Sequence, residues 1–290
     1  MLYIETPECI LCALESRTQE LKKLGINDIN AYTQITMHIS NLIPRGRTPL
    51  FIESFELVTK ILNNDDPHAD EKKELEDTAS LIISRIISDA GNDITRYFEI
   101  AAAANSVDVP MRDYQFDIND FVNKLLEEAV WLGTSREGGL TKLLGGVKDI
   151  GYIVDNSGGE FQVDALLIRK LIDLGLQVTV YARGGLPYEV DVTANYVSRV
   201  LGDRVRVTST GNRYPVFYNR GGLWRDLSMH ELIISKGVGN FEAYLESGLR
   251  LKVLFLFRAK CGPMIRLLRV PKNSPVVYLR MISRLAIINI

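Results

Sequence analysis

Asp155 and Asn156 close an apolar stretch, GYIVDN, and set two hard oxygen donors on adjacent residues. Donors of this kind suit a hard divalent cation. Side chains of neighbouring strand residues diverge, so both can face one ion only where the backbone turns, and Ser157-Gly158-Gly159 makes that turn easy. A third oxygen donor, Asp191, follows a second apolar run, VTVYARGGLPYEVDVT, beyond Arg183 and a Gly-Gly-Leu-Pro turn. A third run, ELIISKGVGN, delivers Lys236, Gly237 and Gly239 ahead of a helix predicted to begin near Asn240. A lysine beside glycine-exposed amides at a helix start forms a phosphate cradle. Compatible groups at three successive strand ends therefore point to metal-assisted chemistry on a small phosphorylated molecule.

Each residue also has a structural reading. Asp155 or Asn156 would cap a helix starting near Glu160, and Asp191 or Thr193 would cap the next one. Glu160, Asp164 and Glu242 are all candidates to align an attacking water, and spacing does not choose among them. GVGNFE approaches the dinucleotide fingerprint GxGxxG, but Glu242 stands at the sixth position and the segment follows a late strand. EVDVT resembles the DxDxT motif of haloacid-dehalogenase phosphatases, yet it begins with Glu189 and lacks a preceding hydrophobic strand. Cys9 and Cys12 form a CxxC and Cys261 is the remaining thiol. A closed zinc site needs four ligands, and His38, His68 and His230 have no matching spacing, so these read as ordinary thiols at a helix start.

Two kinds of element must position these groups. Residues 1–145 read as a helical part or cap. LCALESRTQELKKLG stops at Gly25, TPLFIESFELVTKIL has Thr48 as its N-cap, and ADEKKELEDTASLIISRIISDAG runs to Gly91; DITRYFEIAAAANSV and INDFVNKLLEEAVWLG follow. Residues 146–290 alternate short Val-, Ile- and Leu-rich strands (GYIVD, LQVTVYA, RVRVTS, ELIISK, LRLKVLFLF, SPVVYL) with amphipathic segments. That alternation predicts an α/β fold, a doubly wound and mainly parallel sheet with helices on both sides. GNRYPVFYNRGGLWRDLSM is expected to be a long loop, and the residues from Arg213 to Arg225 within it to help select substrate.

The chain has 290 residues, 46% hydrophobic, with net charge -2, which favours neither nucleic acid nor an anionic membrane as partner. No apolar run reaches the roughly 18 residues of a membrane span, and the N-terminus lacks the features of a signal peptide, so a cytoplasmic location is expected. Oligomeric state is not legible.

DNSGGEFQVD, ARGGLPYEVDVT and ISKGVGNFEAY, in this order and spacing, resemble the metal-dependent damage-control phosphatases. The chain is most similar to their small stand-alone microbial branch, with its N-terminal CxxC (Cys9, Cys12), a glycine-asparagine helix start (Gly91-Asn92) and a Lys-Cys pair (Lys260-Cys261). The resemblance implies an α/β/α core and a divalent metal such as Mg, Mn, Co or Ni, held by Asp155, Asn156 and Asp191. It implies a phosphate contact from Lys236, with Gly237, Gly239 and Asn240 beside it and Glu160 and Arg183 nearby. The activity implied is hydrolysis of phosphate esters on small metabolites, often sugar phosphates. Where the family often has Lys before the turn and Asn before the metal Asp, this chain has Arg183 or Gly184 and Val190; Val238 stands where the family commonly has Gln. The alternatives are a non-catalytic phosphometabolite-binding protein and, further off, a nucleotide-dependent oxidoreductase.

Overall fold

The structure, a computed structural model, describes residues 7–105, 123–219 and 221–281. Helical spacing of apolar residues draws α1 (Pro7–Lys23), α2 (Ile29–Leu42) and α3 (Arg47–Leu62) around Ala13, Leu21, Ile35, Ile39, Leu50 and Val58, all buried. Asp28 caps α2 by accepting from the Asn30 amide at 3.1 Å. Thr48 is not the N-cap of α3. The helix begins two residues earlier, after Gly46, and its first amides meet an acceptor from elsewhere in the chain: the Glu246 carboxylate accepts from Arg47 N at 2.7 Å and Thr48 N at 3.1 Å. The long helix α4 (Ala69–Ala90) ends at Gly91, and α5 (Ile94–Ala104) is capped by Asp93, which accepts from Thr95 N at 2.9 Å.

Seven strands form one sheet in the order β1-β7-β6-β5-β2-β3-β4. They are β1 (Val130–Leu132), β2 (Asp149–Ile153), β3 (Gln177–Ala182), β4 (Arg206–Ser209), β5 (Leu232–Lys236), β6 (Val253–Arg258) and β7 (Pro275–Arg280). Every neighbouring pair is parallel except β6 with β7. The expected α/β class and mainly parallel sheet are what the structure shows. The helices of this part are α6 (Gly139–Gly145), α7 (Gly159–Asp173), α8 (Ala194–Leu201), α9 (Gly222–Met229), α10 (Val238–Ser247) and α11 (Gly262–Leu268).

Period-two alternation splits the central strands between two cores. Leu232, Ile234, Leu254 and Leu256 face one layer, where the alanine run of α5 and the apolar side of α7 pack. Ile233, Val253, Phe255 and Phe257 face the other, with Phe241 and Tyr244 of α10. Burial of both faces explains the near-continuous apolar strands.

Two expectations fail along the chain. Part of the helix expected over INDFVNKLLEEAVWLG lies outside the described residues, and its VWL is the edge strand β1, where β-branched and aromatic side chains suit a pleated surface. The stretch GNRYPVFYNRGGLWRDLSM is not one open loop, since it holds a 3-10 turn, Val216–Tyr218, and the helix α9.

From β2 the chain winds outward through β3 and β4, then returns to β5 on the other side of β2. The order of winding thus reverses between β2 and β5, which opens a crevice at their carboxyl ends. Asp155, Asn156 and Gly237 lie just beyond those ends, and Lys236 is the last residue of β5.

Candidate active site

Two backbone hydrogen bonds clamp the segment after β2 to the segment before α8. Ser157 N donates to Val190 O and Val192 N to Asp155 O, both at 2.9 Å, and Asn156 and Asp191 form an isolated antiparallel bridge. The backbone therefore brings Asp155, Asn156 and Asp191 together. Of the capping readings, the one for Thr193 holds and those for Asp155, Asn156 and Asp191 do not. Gly158 precedes α7 with no side-chain cap, and Thr193, not Asp191, caps α8 by accepting from Tyr196 N at 3.3 Å.

Gly237 closes the opposite wall. It has φ +79°, and a Cβ there would lie 1.8 Å from Asp155 Oδ2, so the carboxylate rests where any other side chain would stand. Gly237 is also the N-cap of α10, with no side chain bonded to the first turn. That helix end faces the aspartate with its dipole and first-turn amides, the arrangement that favours an anion. Asn240 is buried, donating from Nδ2 to Lys236 O at 2.9 Å, and its Oδ1 has no hydrogen-bond partner.

Behind the mouth lies a buried ionic layer. Lys236, expected on the phosphate, is fully buried with Nζ 2.9 Å from both Glu160 Oε1 and Asp164 Oδ1. Burial works against its charge, but Asp164 and Glu160 hold the ammonium above its usual range. Burial, opposed by Lys236 and reinforced by Glu160, pushes Asp164 up to about 7, and Tyr152 donates to it at 2.8 Å. Glu160 also accepts from Asn156 Nδ2 at 3.2 Å, which turns the Asn156 carbonyl away from Glu160. The third candidate acid, Glu242, is not part of this layer. It pairs with Arg47, and burial, against the pull of Arg47, raises it to about 7. Arg47 in turn lies within electrostatic reach of Cys9, Cys261 and Cys12, none of them in a disulfide, and burial followed by Glu242 pushes Cys261 up to about 11.

Arg183, the first residue after β3, brings a guanidinium into the mouth. Nη1 stands 2.7 Å from Asp191 Oδ2 and Nη2 3.8 Å from Asp155 Oδ1. The Tyr188 ring lies 5.1 Å from its centre. Burial drives Asp191 well above the usual carboxylate range, against the pull of Arg183 and with the push of Asp155. Glu189 is drawn away from the mouth and pairs with the buried Arg17.

Sequence reasoning missed Asn105, which follows α5. Its Nδ2 donates to Glu160 at 3.1 Å and Asp155 at 3.3 Å, while its Oδ1 accepts from Arg258 N at 3.3 Å. A polar residue ending a buried alanine run was the only signal.

The donors fit a hard divalent cation. Asp191 Oδ2 is buried without a hydrogen-bond partner and in ionic contact with Arg183, and Asp155, Asn156 and Asp191 offer oxygen donors. Among the described residues no group of three or more His, Cys, Asp and Glu side chains is arranged to hold a metal. Among the same residues no helix is long and apolar enough to cross a membrane.

The family model for the damage-control phosphatase ARMT1-like domain matches residues 6–276. A damage-control phosphatase of Pyrococcus horikoshii is 26% identical over 284 residues, covering 93% of this chain and 96% of the relative. An uncharacterized protein of Methanocaldococcus jannaschii is 23% identical over 294 residues, covering 94% and 95%. In structure, the chain superposes with TM-score 0.73 on a DUF89 family protein of Pyrococcus horikoshii, at 24% identity, over 94% of this chain and 98% of that one.

Proposed function

This chain belongs to the ARMT1-like damage-control phosphatase family, and from that premise we propose a metal-dependent phosphatase that hydrolyses phosphate esters of small metabolites such as sugar phosphates. The observation that carries the reading is the juxtaposition of Asp155, Asn156 and Asp191 with the glycine-capped start of α10 across the β2/β5 crevice. In this reading Asp155, Asn156 and Asp191 hold one divalent cation, Mg, Mn, Co or Ni. Bound there, it would polarise the phosphoryl group and offset charge developing in the transition state.

The chain's own groups supply the rest. The first-turn backbone amides that follow Gly237, those of Val238, Gly239 and Asn240, hold phosphoryl oxygens at the helix start. Lys236 has two ammonium protons on Glu160 and Asp164, and the third is the one we assign to the phosphate. Arg183 is a second cation at the mouth, within reach of the same oxygens. Glu160, holding Asn156, Asn105 and Lys236 at once, fixes the donors against the crevice. Water attacks phosphorus in line, the ester P–O bond breaks, and the alcohol and inorganic phosphate leave.

The test is phosphate release from a panel of sugar phosphates and an aryl phosphate by chelator-stripped protein given Mg, Mn, Co or Ni in turn. We expect release to return with metal, and Asp155→Ala to lose it by at least about a hundredfold while remaining folded. A folded wild-type protein that releases nothing with any metal would overturn the reading in favour of a phosphometabolite-binding protein.

A further inference from the structure

The guanidinium of Arg183 occupies ground that the proposed cation also needs. Its Nη1 is 2.7 Å from Asp191 Oδ2 and its Nη2 3.8 Å from Asp155 Oδ1, the same two carboxylates assigned to the metal. It also overhangs the phosphate side, since a Cβ on Gly239 would sit 3.6 Å from Nη2. One side chain thus spans the metal-binding carboxylates and the helix start. Two positive centres cannot share both carboxylates at contact distance without strong repulsion.

We propose that Arg183 is an internal counter-ion that competes with the divalent cation for Asp155 and Asp191, and that cation entry hands its guanidinium over to the substrate phosphate above Gly239. This rests on the metal-dependent reading above.

The local geometry distinguishes such a competitor from a permanent ion pair. Buried arginine–carboxylate pairs are strong when both partners are fully hydrogen-bonded. Here Arg183 Nη1 and Asp191 Oδ2 are both buried and neither has a hydrogen-bond partner, so the 2.7 Å contact is one of charge with poor angles. The Tyr188 ring lies against the guanidinium on another side, 5.1 Å from its centre, and offers a surface along which the flexible side chain can pivot. Planar guanidinium then meets phosphate with the fork geometry it is suited to.

The consequence is a coupling. Without phosphate, cation binding must displace Arg183 and is weakened by that amount. With phosphate present, the displaced guanidinium gains a partner, so metal and phosphate each tighten the other.

Calorimetric titration of Mn2+ into chelator-stripped wild type and Arg183→Gln, each with and without inorganic phosphate, tests this. We expect R183Q to bind Mn2+ about tenfold tighter than wild type in the absence of phosphate, and the tightening caused by phosphate to shrink. A folded R183Q that binds Mn2+ equally or more weakly overturns the inference and leaves the metal-dependent reading intact. Should R183Q fail to fold, Arg183→Lys serves, because a compact ammonium cannot span both carboxylates. It is expected to bind Mn2+ more tightly than wild type by a smaller factor, and equal or weaker binding again overturns the inference. Failure of folded wild type and variant alike to bind Mn2+ overturns the metal-dependent reading and this inference together.

Discussion

Gly237 is where backbone and chemistry are hardest to separate. Its φ of +79° with ψ of 153° belongs to a region almost confined to glycine, worth about 1–3 kcal/mol against any other residue. An alanine Cβ would also stand 1.8 Å from Asp155 Oδ2, so the carboxylate has to leave its position. Gly237→Ala is therefore expected to lose at least about tenfold in metal-supported phosphate release and about 1–3 kcal/mol of stability. Gly25→Ala separates the two effects. That glycine has φ +80° but nothing within 4 Å of a built Cβ, so it should lose about 1–2 kcal/mol in urea denaturation and none of the release. Undiminished release by Gly237→Ala would show that Asp155 does not act where we place it. The residues converging here were legible to different degrees. Asp155, Asn156 and Asp191 could be read because strand ends followed by glycine turns announce themselves locally. The i, i+4 spacing of Glu160 and Asp164 put both on one face of α7, but their capture of Lys236 from β5 is a tertiary contact with no local trace. Asn105 was illegible for the same reason, its partners Asp155 and Glu160 lying far along the chain.

At the scale of elements, α3 and α10 are joined end to side by one carboxylate. Glu246 accepts from the Arg47 and Thr48 amides and from the Thr48 hydroxyl, so a residue of α10 does the work of an N-cap for α3. Glu246→Ala is expected to destabilise the fold by about 1–2 kcal/mol, the range found for loss of a good cap, with Glu246→Gln losing less. Chemical denaturation of the two variants checks this, and equal stability of E246A and wild type would mean that water satisfies those amides as well. This cap also shows why Thr48 misled. A threonine before Pro49 carries the local signature, and only the fold reveals that the acceptor comes from another helix. The strands β2, β3, β5, β6 and β7 were legible because burial leaves Val-, Ile-, Leu- and Phe-rich runs, and the edge strand β4 through its alternating Val residues. The short β1 was not, because its three residues adjoin a helical pattern and owe their conformation to pairing with β7. The helix α2 was missed because INAYTQITMHISNL is rich in β-branched residues of weak helix propensity, and packing of Ile35 and Ile39 in the N-terminal core holds it.

On the scale of the whole molecule, a buried ionic chain runs from the helical part to the segment bearing Asp191. His68, at the start of α4, has Nε2 2.6 Å from Glu20 of α1 and Nδ1 2.9 Å from Glu71 of α4. Glu20 pairs with the fully buried Arg17 at 2.6 Å, and Arg17 also holds Glu189 and donates to Tyr188 at 3.2 Å, whose ring supports Arg183. The helical part therefore positions the mouth of the site through charge as well as through packing. Burial opposes a charged imidazole, but hydrogen bonds to Glu20 and Glu71 prevail and raise His68 up to about 9. A histidine raised on folding adds stability that is fully present below its unfolded value, about 6.5, and that disappears as pH rises through the folded value. The ceiling is on the order of 3 kcal/mol. Thermal unfolding is thus expected to shift downward between about pH 7 and about pH 9.5, and His68→Gln, which cannot gain the charge, should be less stable at the lower pH and nearly flat across that interval. An equal decline in wild type and variant would assign the pH dependence to other groups. A flat wild-type profile would show that His68 is neutral between its two carboxylates, and that Arg17 alone ties α1 to the Asp191 segment.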